Sequence, residues 1–263
     1  MPDEAVLLRR QDRVVTLLLH RPRIMNAMNE ALVQSLKDAL DKASADPGIH
    51  VVVLEGAGGN FSSGADFSLL DTPQEAGFGA PEWLAGMERL GAVIRLLREM
   101  PQPVVAKVRG VAVGAGANLA LAADFVVAAH EARFCQIFIN IGLILDAGGT
   151  YFLPRLVGLA KARELAFLGD MVGGREAAAI GLIHCSVDEE RLDEEVEALA
   201  GRLAGKSLSA LGYIKRGLER SLDMSLPEML DWEAAHQAVM LQTPEHKAIV
   251  RGYLNARRKK NSP

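Results

Sequence analysis

Short, largely apolar runs constrain the fold of this chain more than any other feature. They occupy residues 51–54, 104–108 and 125–127, and turn-forming or charged residues border each of them. A strand that is apolar on both faces is typical of a parallel sheet covered by helices on both sides. One helical pattern precedes the first run, with Asn29 as a favoured helix-capping residue at its start, and a second, starting at Pro81, separates the first two runs. The alternation predicts an α/β core.

The character of the sequence changes near residue 190. Beyond it, strand-like runs cease and helical patterns follow one another, interrupted at Gly205, Pro227 and Pro244. We therefore predict an α/β core over residues 1–190 and a helical C-terminal region over residues 191–263.

Composition excludes several classes of protein. The net charge of −4 argues against a nucleic-acid partner. No apolar run approaches the roughly 20 residues that a membrane-spanning helix needs. Two cysteines, Cys135 and Cys185, make neither a disulfide framework nor a zinc site. The expectation is a cytoplasmic protein that binds no metal, no nucleic acid and no membrane.

Two loops of small residues follow the predicted buried strands. Residues 60–66 follow the first strand and residues 114–117 follow the second. Small residues let backbone N–H groups approach a ligand closely. Two N–H groups that converge on one carbonyl oxygen form an oxyanion hole, although both loops could equally be tight turns.

Two segments resemble nucleotide-binding motifs but do not match them. Residues 201–207 are one residue too short for a phosphate loop, and Leu119 stands where a dinucleotide fingerprint needs glycine.

Four stretches together resemble one known family. Residues 21–29, 61–66, 110–124 and 141–158 are similar, in order and spacing, to motifs of the crotonase (enoyl-CoA hydratase/isomerase) superfamily. The resemblance is strongest to its ring-1,2-epoxyphenylacetyl-CoA isomerases and Δ3,Δ2-enoyl-CoA isomerases. It implies a crotonase-like spiral of ββα units with a helical trimerisation region, assembled as a homotrimer or hexamer. It also implies an acyl-CoA thioester as substrate, with no separate cofactor because coenzyme A is part of that substrate.

The resemblance assigns site residues position by position. The oxyanion N–H donors fall at Ala65 and Ala115. For Asp66, hydrogen bonding within its own loop is the competing interpretation. The positions implied for binding coenzyme A or the acyl group are Ser63, Ala65, Asp66, Phe67, Ser68, Phe138 and Leu143.

The pattern of carboxylates bears on the reaction. Hydratases of the family use two glutamates, and the corresponding positions here are Asn118 and Phe138, neither of which transfers a proton. A carboxylate does occur at Asp146, where it either caps the following helix or serves as an acid/base group. One carboxylate suffices for a 1,3-proton shift that moves a double bond, so we predict an acyl-CoA isomerase with Asp146 as its catalytic residue.

Other functions remain open at this point. The chain could be a hydratase, could catalyse another crotonase reaction such as thioester hydrolysis, or could bind acyl-CoA without catalysis. A substrate with a linear acyl chain and one derived from an aromatic ring are both compatible with the motifs.

Overall fold

The computed structural model describes residues 4–66 and 79–260. The chain divides into two compact units, residues 1–204 (unit 1) and residues 205–263 (unit 2). In the described part of the chain, every strand belongs to unit 1 and unit 2 is helical.

The main sheet of unit 1 consists of β1 (Val6–Gln11), β2 (Val14–Leu19), β3 (Val51–Gly56), β4 (Val104–Val108), β6 (Phe125–Ala129) and β9 (Cys185–Val187). Its order is β1-β2-β3-β4-β6-β9. β1 and β2 form an antiparallel hairpin, and every later pair is parallel. The apolar runs in β3, β4 and β6 lie in the middle of this order and are largely buried. The prediction of an α/β core is confirmed.

A smaller sheet joins three strands of three residues each: β5 (Val111–Val113), β7 (Arg133–Cys135) and β8 (Met171–Gly173). β5 pairs parallel with β7, and β7 pairs antiparallel with β8. Sequence reasoning did not identify these strands, because three residues are too few to display an alternating pattern. This sheet holds β5 beside the loop of residues 60–66.

Helices of unit 1 connect and cover the strands. In the first of them, the side chain of Asn29 accepts a hydrogen bond from the N–H of Leu32, as the capping prediction required. The helices are α1 (Glu30–Ala45), α2 (Ala80–Glu99), α3 (Ala115–Leu121), α4 (Gly149–Leu168), α5 (Gly174–Ala179) and α6 (Leu192–Ala204).

α6 lies beyond the boundary predicted after residue 190 but packs within unit 1. Its Asp193 binds Lys107 of β4 at 2.8 Å and Arg109 at 3.0 Å. Its Leu192 and Val196 are buried in the core of unit 1. These contacts explain why the compact units divide at residues 204 and 205 rather than at 190 and 191.

Unit 2 contains α7 (Leu208–Arg220), α8 (Leu226–Gln242) and α9 (Pro244–Lys260). The helix breaks predicted at Gly205, Pro227 and Pro244 each coincide with the start of a helix or the interval before one. An apolar groove of about 980 Å³ lies within this unit, between residues of α7 and α8, with Trp232 and Met240 among its lining side chains. Among the described residues, no helix combines the length and the hydrophobicity needed to cross a bilayer.

Candidate active site

The loop of residues 60–66 lies between two other segments of backbone. Ala65 pairs with Met28 on one side, and Ser62 pairs with Ala112 of β5 on the other, both in parallel bridges. The loop therefore behaves as a short extra strand, and the position of its N–H groups is set by hydrogen bonds on both sides.

Two fully buried polar residues hold this loop in place. The side chain of Asn26 donates to the carbonyls of Ala57 at 2.8 Å and Asn60 at 2.7 Å. The hydroxyl of Ser62 donates to the carbonyl of Asn26 at 2.9 Å. Asn26 has a φ of 55°, in the left-handed region that asparagine tolerates better than most residues. Sequence analysis included Asn26 in a family motif but did not assign it this role.

The two predicted oxyanion donors are the backbone N–H groups of Ala65 and Ala115. In the bridge to Met28, the hydrogen bonds use the carbonyl of Gly64 and the N–H of Asp66, so they leave out the N–H of Ala65. Ala115 is the first residue of α3, where an N–H has no partner within the helix. Neither group donates to a backbone carbonyl in residues 4–66 or 79–260.

The loops that carry these donors are in close contact. A Cβ atom added to Gly64 would lie 3.6 Å from the nitrogen of Ala115. A Cβ atom added to Gly116 would lie 2.6 Å from the carbonyl oxygen of Ser62, closer than non-bonded atoms approach. Glycine at position 116 therefore lets the start of α3 approach the loop of residues 60–66.

The remaining loop positions stabilise the loop itself. Asp66 forms an ion pair with Arg21 at 3.0 Å, and Arg21 also donates to the carbonyl of Ala27. The hydroxyl of Ser63 donates to the carbonyl of Ile24 at 3.3 Å. Asp66 thus connects two backbone segments, whatever contact it makes with a substrate. The predicted binding residues Phe67 and Ser68 lie outside the described residues.

Asp146 occupies a turn immediately before α4. The N-cap of α4 is Gly148, and no side chain caps the helix, so the capping role considered for Asp146 is not observed. Its carboxylate oxygen Oδ1 is buried and accepts no hydrogen bond within the described part of the chain. Burial raises the pKa of this carboxyl group from 3.8 to about 6. A carboxyl with such a pKa can gain and release a proton near neutral pH.

Asn118 connects Asp146 to α3, the helix that begins at Ala115. Its side-chain nitrogen donates to the carbonyl oxygen of Asp146 at 2.8 Å. Asn118 lies three residues after Ala115 in α3, and residues at this spacing share one face of a helix. The backbone of Asp146 is therefore attached about one helical turn from Ala115, the second predicted oxyanion donor.

Phe138 lies near the start of the same helix. A Cβ atom added to Gly114 would lie 3.7 Å from the ring of Phe138. Phe138 is buried, whereas Leu143 is 49% exposed on the segment between Phe138 and Asp146. Ile139, Ile141 and Ile144 on the same segment are also exposed, so an apolar surface leads to Asp146.

The two positions where hydratases carry glutamates thus hold a buried amide and a buried aromatic ring. Asp146 is the acidic residue that the structure connects to α3. In the described residues, no cluster of three or more side chains could hold a metal ion. The groove in unit 2 is lined by none of the predicted catalytic or oxyanion residues.

Comparison with known proteins places this site in a family context. Residues 9–261 match the family described as enoyl-CoA hydratase/isomerase. The chain is 35% identical to the 1,2-epoxyphenylacetyl-CoA isomerase of Escherichia coli (strain K12), over 97% of each chain. It is 32% identical to a crotonyl-CoA hydratase of Syntrophomonas wolfei subsp. wolfei, over 98% of each chain. The crystal structure of an enoyl-CoA hydratase from Polaromonas sp. JS666 superposes with a TM-score of 0.89 at 30% identity, covering 95% of this chain and 97% of the other.

Proposed function

The chain belongs to the enoyl-CoA hydratase/isomerase family, and we propose that it is an acyl-CoA isomerase that uses Asp146 as its single acid/base group. The observation that carries the proposal is the buried Oδ1 of Asp146, which has no hydrogen-bond partner among the described residues. A carboxylate oxygen that accepts no hydrogen bond from these residues can accept a proton from a substrate. The fold and the acyl-CoA chemistry follow from the family, whereas the choice of isomerisation rests on the side chains of this site.

The proposed reaction is a 1,3-proton shift in a 3-enoyl thioester. The Asp146 carboxylate removes a proton from C2, and the electrons of the broken C–H bond move into a dienolate whose oxygen is negative. The N–H groups of Ala65 and Ala115 stabilise that oxygen. The protonated Asp146 then donates the same proton to C4, which leaves a double bond between C2 and C3. Atoms and charge balance without any added cofactor.

The ionisation of Asp146 supports this cycle. A base that acts near neutral pH works best when its pKa lies close to the working pH, and burial brings the pKa of Asp146 to about 6. The group is then mostly ionised at pH 7 yet still a competent acid after it accepts the C2 proton. An exposed aspartate with an ordinary pKa would return the proton far less readily.

The residues around Asp146 disfavour hydration. Addition of water needs a group that activates a water molecule at C3 in addition to the group that protonates C2. Asn118 is fully buried, and both ends of its amide are engaged, by Asp146 and by Gln136. Phe138 is an aromatic ring packed near Gly114. Neither residue can activate water, so these two positions cannot perform the second role.

The substrate class is a thioester with an apolar acyl part. The exposed aliphatic residues that precede Asp146 offer an apolar surface for such a group. The relative named 1,2-epoxyphenylacetyl-CoA isomerase supports a ring-derived acyl group as the second candidate beside a linear 3-enoyl group. Residues Ser63, Asp66, Phe138 and Leu143 remain our proposed contacts to coenzyme A or the acyl group.

Purified protein incubated with a trans-3-enoyl-CoA tests the proposal. We expect conversion to the conjugated 2-enoyl-CoA, followed by absorbance and chromatography, and no hydration of crotonyl-CoA in a parallel reaction. In Asp146→Asn, turnover should fall about 10²- to 10⁴-fold, the usual contribution of general acid–base catalysis. Binding of the thioester should persist because the oxyanion N–H groups are unchanged.

Asp170→Asn is the matched control, because Asp170 is exposed and lies beyond the C-terminal end of α4. It should retain wild-type turnover. Equal turnover in Asp146→Asn and the wild type would remove Asp146 from the mechanism. Hydration of crotonyl-CoA at a rate comparable with isomerisation would instead favour a hydratase.

A further inference from the structure

We propose that Asn118 and Gln136 form an amide relay that positions the Asp146 carboxylate for proton transfer. The inference rests on the proposed role of Asp146 as the base and adds two residues that touch neither substrate nor transferred proton. The side-chain amide of Gln136 donates to Asn118 Oδ1 at 2.9 Å. The amide of Asn118 donates in turn to the carbonyl oxygen of Asp146 at 2.8 Å.

The backbone carbonyl of Asp146 determines the orientation of both side-chain amides. A backbone carbonyl only accepts hydrogen bonds, so the nitrogen of the Asn118 amide must face Asp146. The oxygen of that amide then faces Gln136, which must present its own nitrogen. Each orientation follows from the previous one, and neither amide can flip without losing a hydrogen bond.

Both amides are held deep in unit 1. Asn118 is 0% exposed and Gln136 is 5% exposed. A buried amide costs free energy unless it is hydrogen-bonded, so a polar pair persists here only through its own contacts. The oxygen Oε1 of Gln136 is buried without a partner in the described part of the chain. Gln136 therefore contributes to the relay chiefly through its donor.

The turn that the relay holds has a constrained backbone. Ala147 has a φ of 45° and Gly148 a φ of 84°, both in the left-handed region. That region costs about 1–2 kcal/mol for a residue with a side chain, so the turn at Ala147 needs external support. The N–H of Gly149 also donates to the carbonyl of Asp146, at 2.8 Å.

Steric contact adds to these hydrogen bonds. A Cβ atom added to Gly149 would lie 2.5 Å from the side-chain nitrogen of Asn118. The turn therefore packs directly on the amide, and Asn118 determines where the turn can lie. Since the held carbonyl and the reactive carboxylate belong to the same residue, the relay restricts the carboxylate to a small volume.

The relay is separate from what holds α4 in the fold. Phe152 and Leu153 of α4 are buried in unit 1 and anchor the helix by apolar packing. Loss of the Asn118 donor should therefore displace the carboxylate while α4 remains in place. A displacement of about 1 Å can lower turnover about 10²-fold without weakening binding.

Kinetics of Asn118→Leu, a variant of similar volume that cannot donate, provide the first test. With a trans-3-enoyl-CoA as substrate, we expect kcat to fall about 10- to 100-fold and KM to stay within about twofold. Gln136→Leu should show a smaller loss of kcat. The double variant should be no slower than Asn118→Leu, because both residues act through one hydrogen bond to Asp146.

Asn140→Leu is the matched control. Its side-chain amide likewise donates to a backbone carbonyl, that of Gly169 at 3.0 Å, at the opposite end of α4. Because Asn140 is exposed whereas Asn118 is fully buried, this variant should lose less stability, and it should keep its kcat. Equal kcat values in Asn118→Leu and Asn140→Leu would overturn the relay. Should Asn118→Leu fail to fold, Asn118→Asp keeps the shape and the contact with Gln136 and, when ionised, removes the donor.

A second measurement does not depend on turnover. Carbon-13 NMR of the aspartate carboxyl groups, with Asp146→Asn to assign the resonance, follows the titration of Asp146. In Asn118→Leu we expect its pKa to move down from about 6 toward 3.8, because a released carboxylate turns toward water. An unchanged titration would contradict the relay even if no substrate were converted. Activity in Asp146→Asn would instead contradict the proposed role of Asp146 as the base, and the titration would still show whether Asn118 holds its carboxylate in a buried position.

Discussion

At the scale of single residues, Asp146 combines a property that favours catalysis with a cost to stability. Its burial raises the pKa of the carboxyl to about 6. A carboxylate removed from water is a stronger base, yet its charged form is disfavoured in the folded protein. The same shift therefore governs the pH dependence of both the reaction and the fold.

The pH profile of kcat/KM should show the ionisation of Asp146. Because the base must be deprotonated, kcat/KM should rise tenfold per pH unit below about pH 6 and level off above it. Steady-state assays with a trans-3-enoyl-CoA between pH 5 and 8 would measure the profile. A flat profile across this range would indicate that another group is the base.

The stability of the protein should also depend on this ionisation. A carboxyl whose folded pKa is raised stabilises the fold below its unfolded pKa, near 3.8, and loses that contribution as pH rises through about 6. A shift of about two pKa units corresponds to about 3 kcal/mol. Relative to the wild type, Asp146→Asn should therefore gain up to about 3 kcal/mol between pH 4 and pH 8.

Urea unfolding of Asp146→Asn and of the wild type at both pH values would measure this difference. A constant difference between Asp146→Asn and the wild type at the two pH values would contradict the raised pKa.

At the scale of elements, the site depends on how closely α3 approaches the loop of residues 60–66. β5 holds this loop on one side and the backbone near Met28 holds it on the other. Glycines at the closest contacts make this possible, because a side chain there would separate the two N–H groups that we propose as oxyanion donors. The geometry of the site is thus a property of two elements rather than of any one of them.

Gly116→Ala should damage the site through this contact. The added Cβ would lie 2.6 Å from the carbonyl oxygen of Ser62, so α3 or the loop must shift. We expect turnover to fall about 10²-fold or more, as it does when one oxyanion donor is lost. Gly201→Ala is the control, since a Cβ there meets nothing within 4 Å and alanine favours a helix interior.

Enzyme kinetics and thermal unfolding of both variants would separate a loss of turnover from a loss of stability. Gly201→Ala should retain turnover and unfold at the same or a higher temperature. Wild-type turnover in Gly116→Ala would show that the close approach is not required.

At the scale of the whole molecule, unit 2 exposes large apolar side chains on its helices. Ile214, Leu218, Leu226 and Leu230 are all more than half exposed. Contiguous apolar surface of this kind is typical of protein interfaces. It supports our proposal, first suggested by the family resemblance, that the chain assembles as a homotrimer or a hexamer.

Light scattering coupled to size-exclusion chromatography tests this assembly. A trimer should have a mass of about 85 kDa, three times the 28.3 kDa of one chain. Leu218→Glu places a charge on the exposed face of α7 and should lower that mass. A wild-type mass near 28 kDa would contradict the proposal.

The sequence by itself determined the α/β class, the central strands β3, β4 and β6 of the main sheet, and the helix breaks of unit 2. These depend on local patterns, namely buried apolar runs, helical periodicity and residues that stop helices. Through the family resemblance it also predicted Asp146 as the catalytic residue and Ala65 and Ala115 as oxyanion positions, with Asn118 and Phe138 at the positions where hydratases carry glutamates. Each of these inferences needed only residues close together in the chain.

Tertiary structure decided what depends on residues far apart. It placed α6 in unit 1 through Lys107 and Arg109, and it revealed the three-residue strands beside the site. It also brought Gln136, Asn118 and the carbonyl of Asp146 into one chain of hydrogen bonds. No local pattern predicts a hydrogen bond between distant segments, because its energy depends on burial and direction that arise only when the chain is folded.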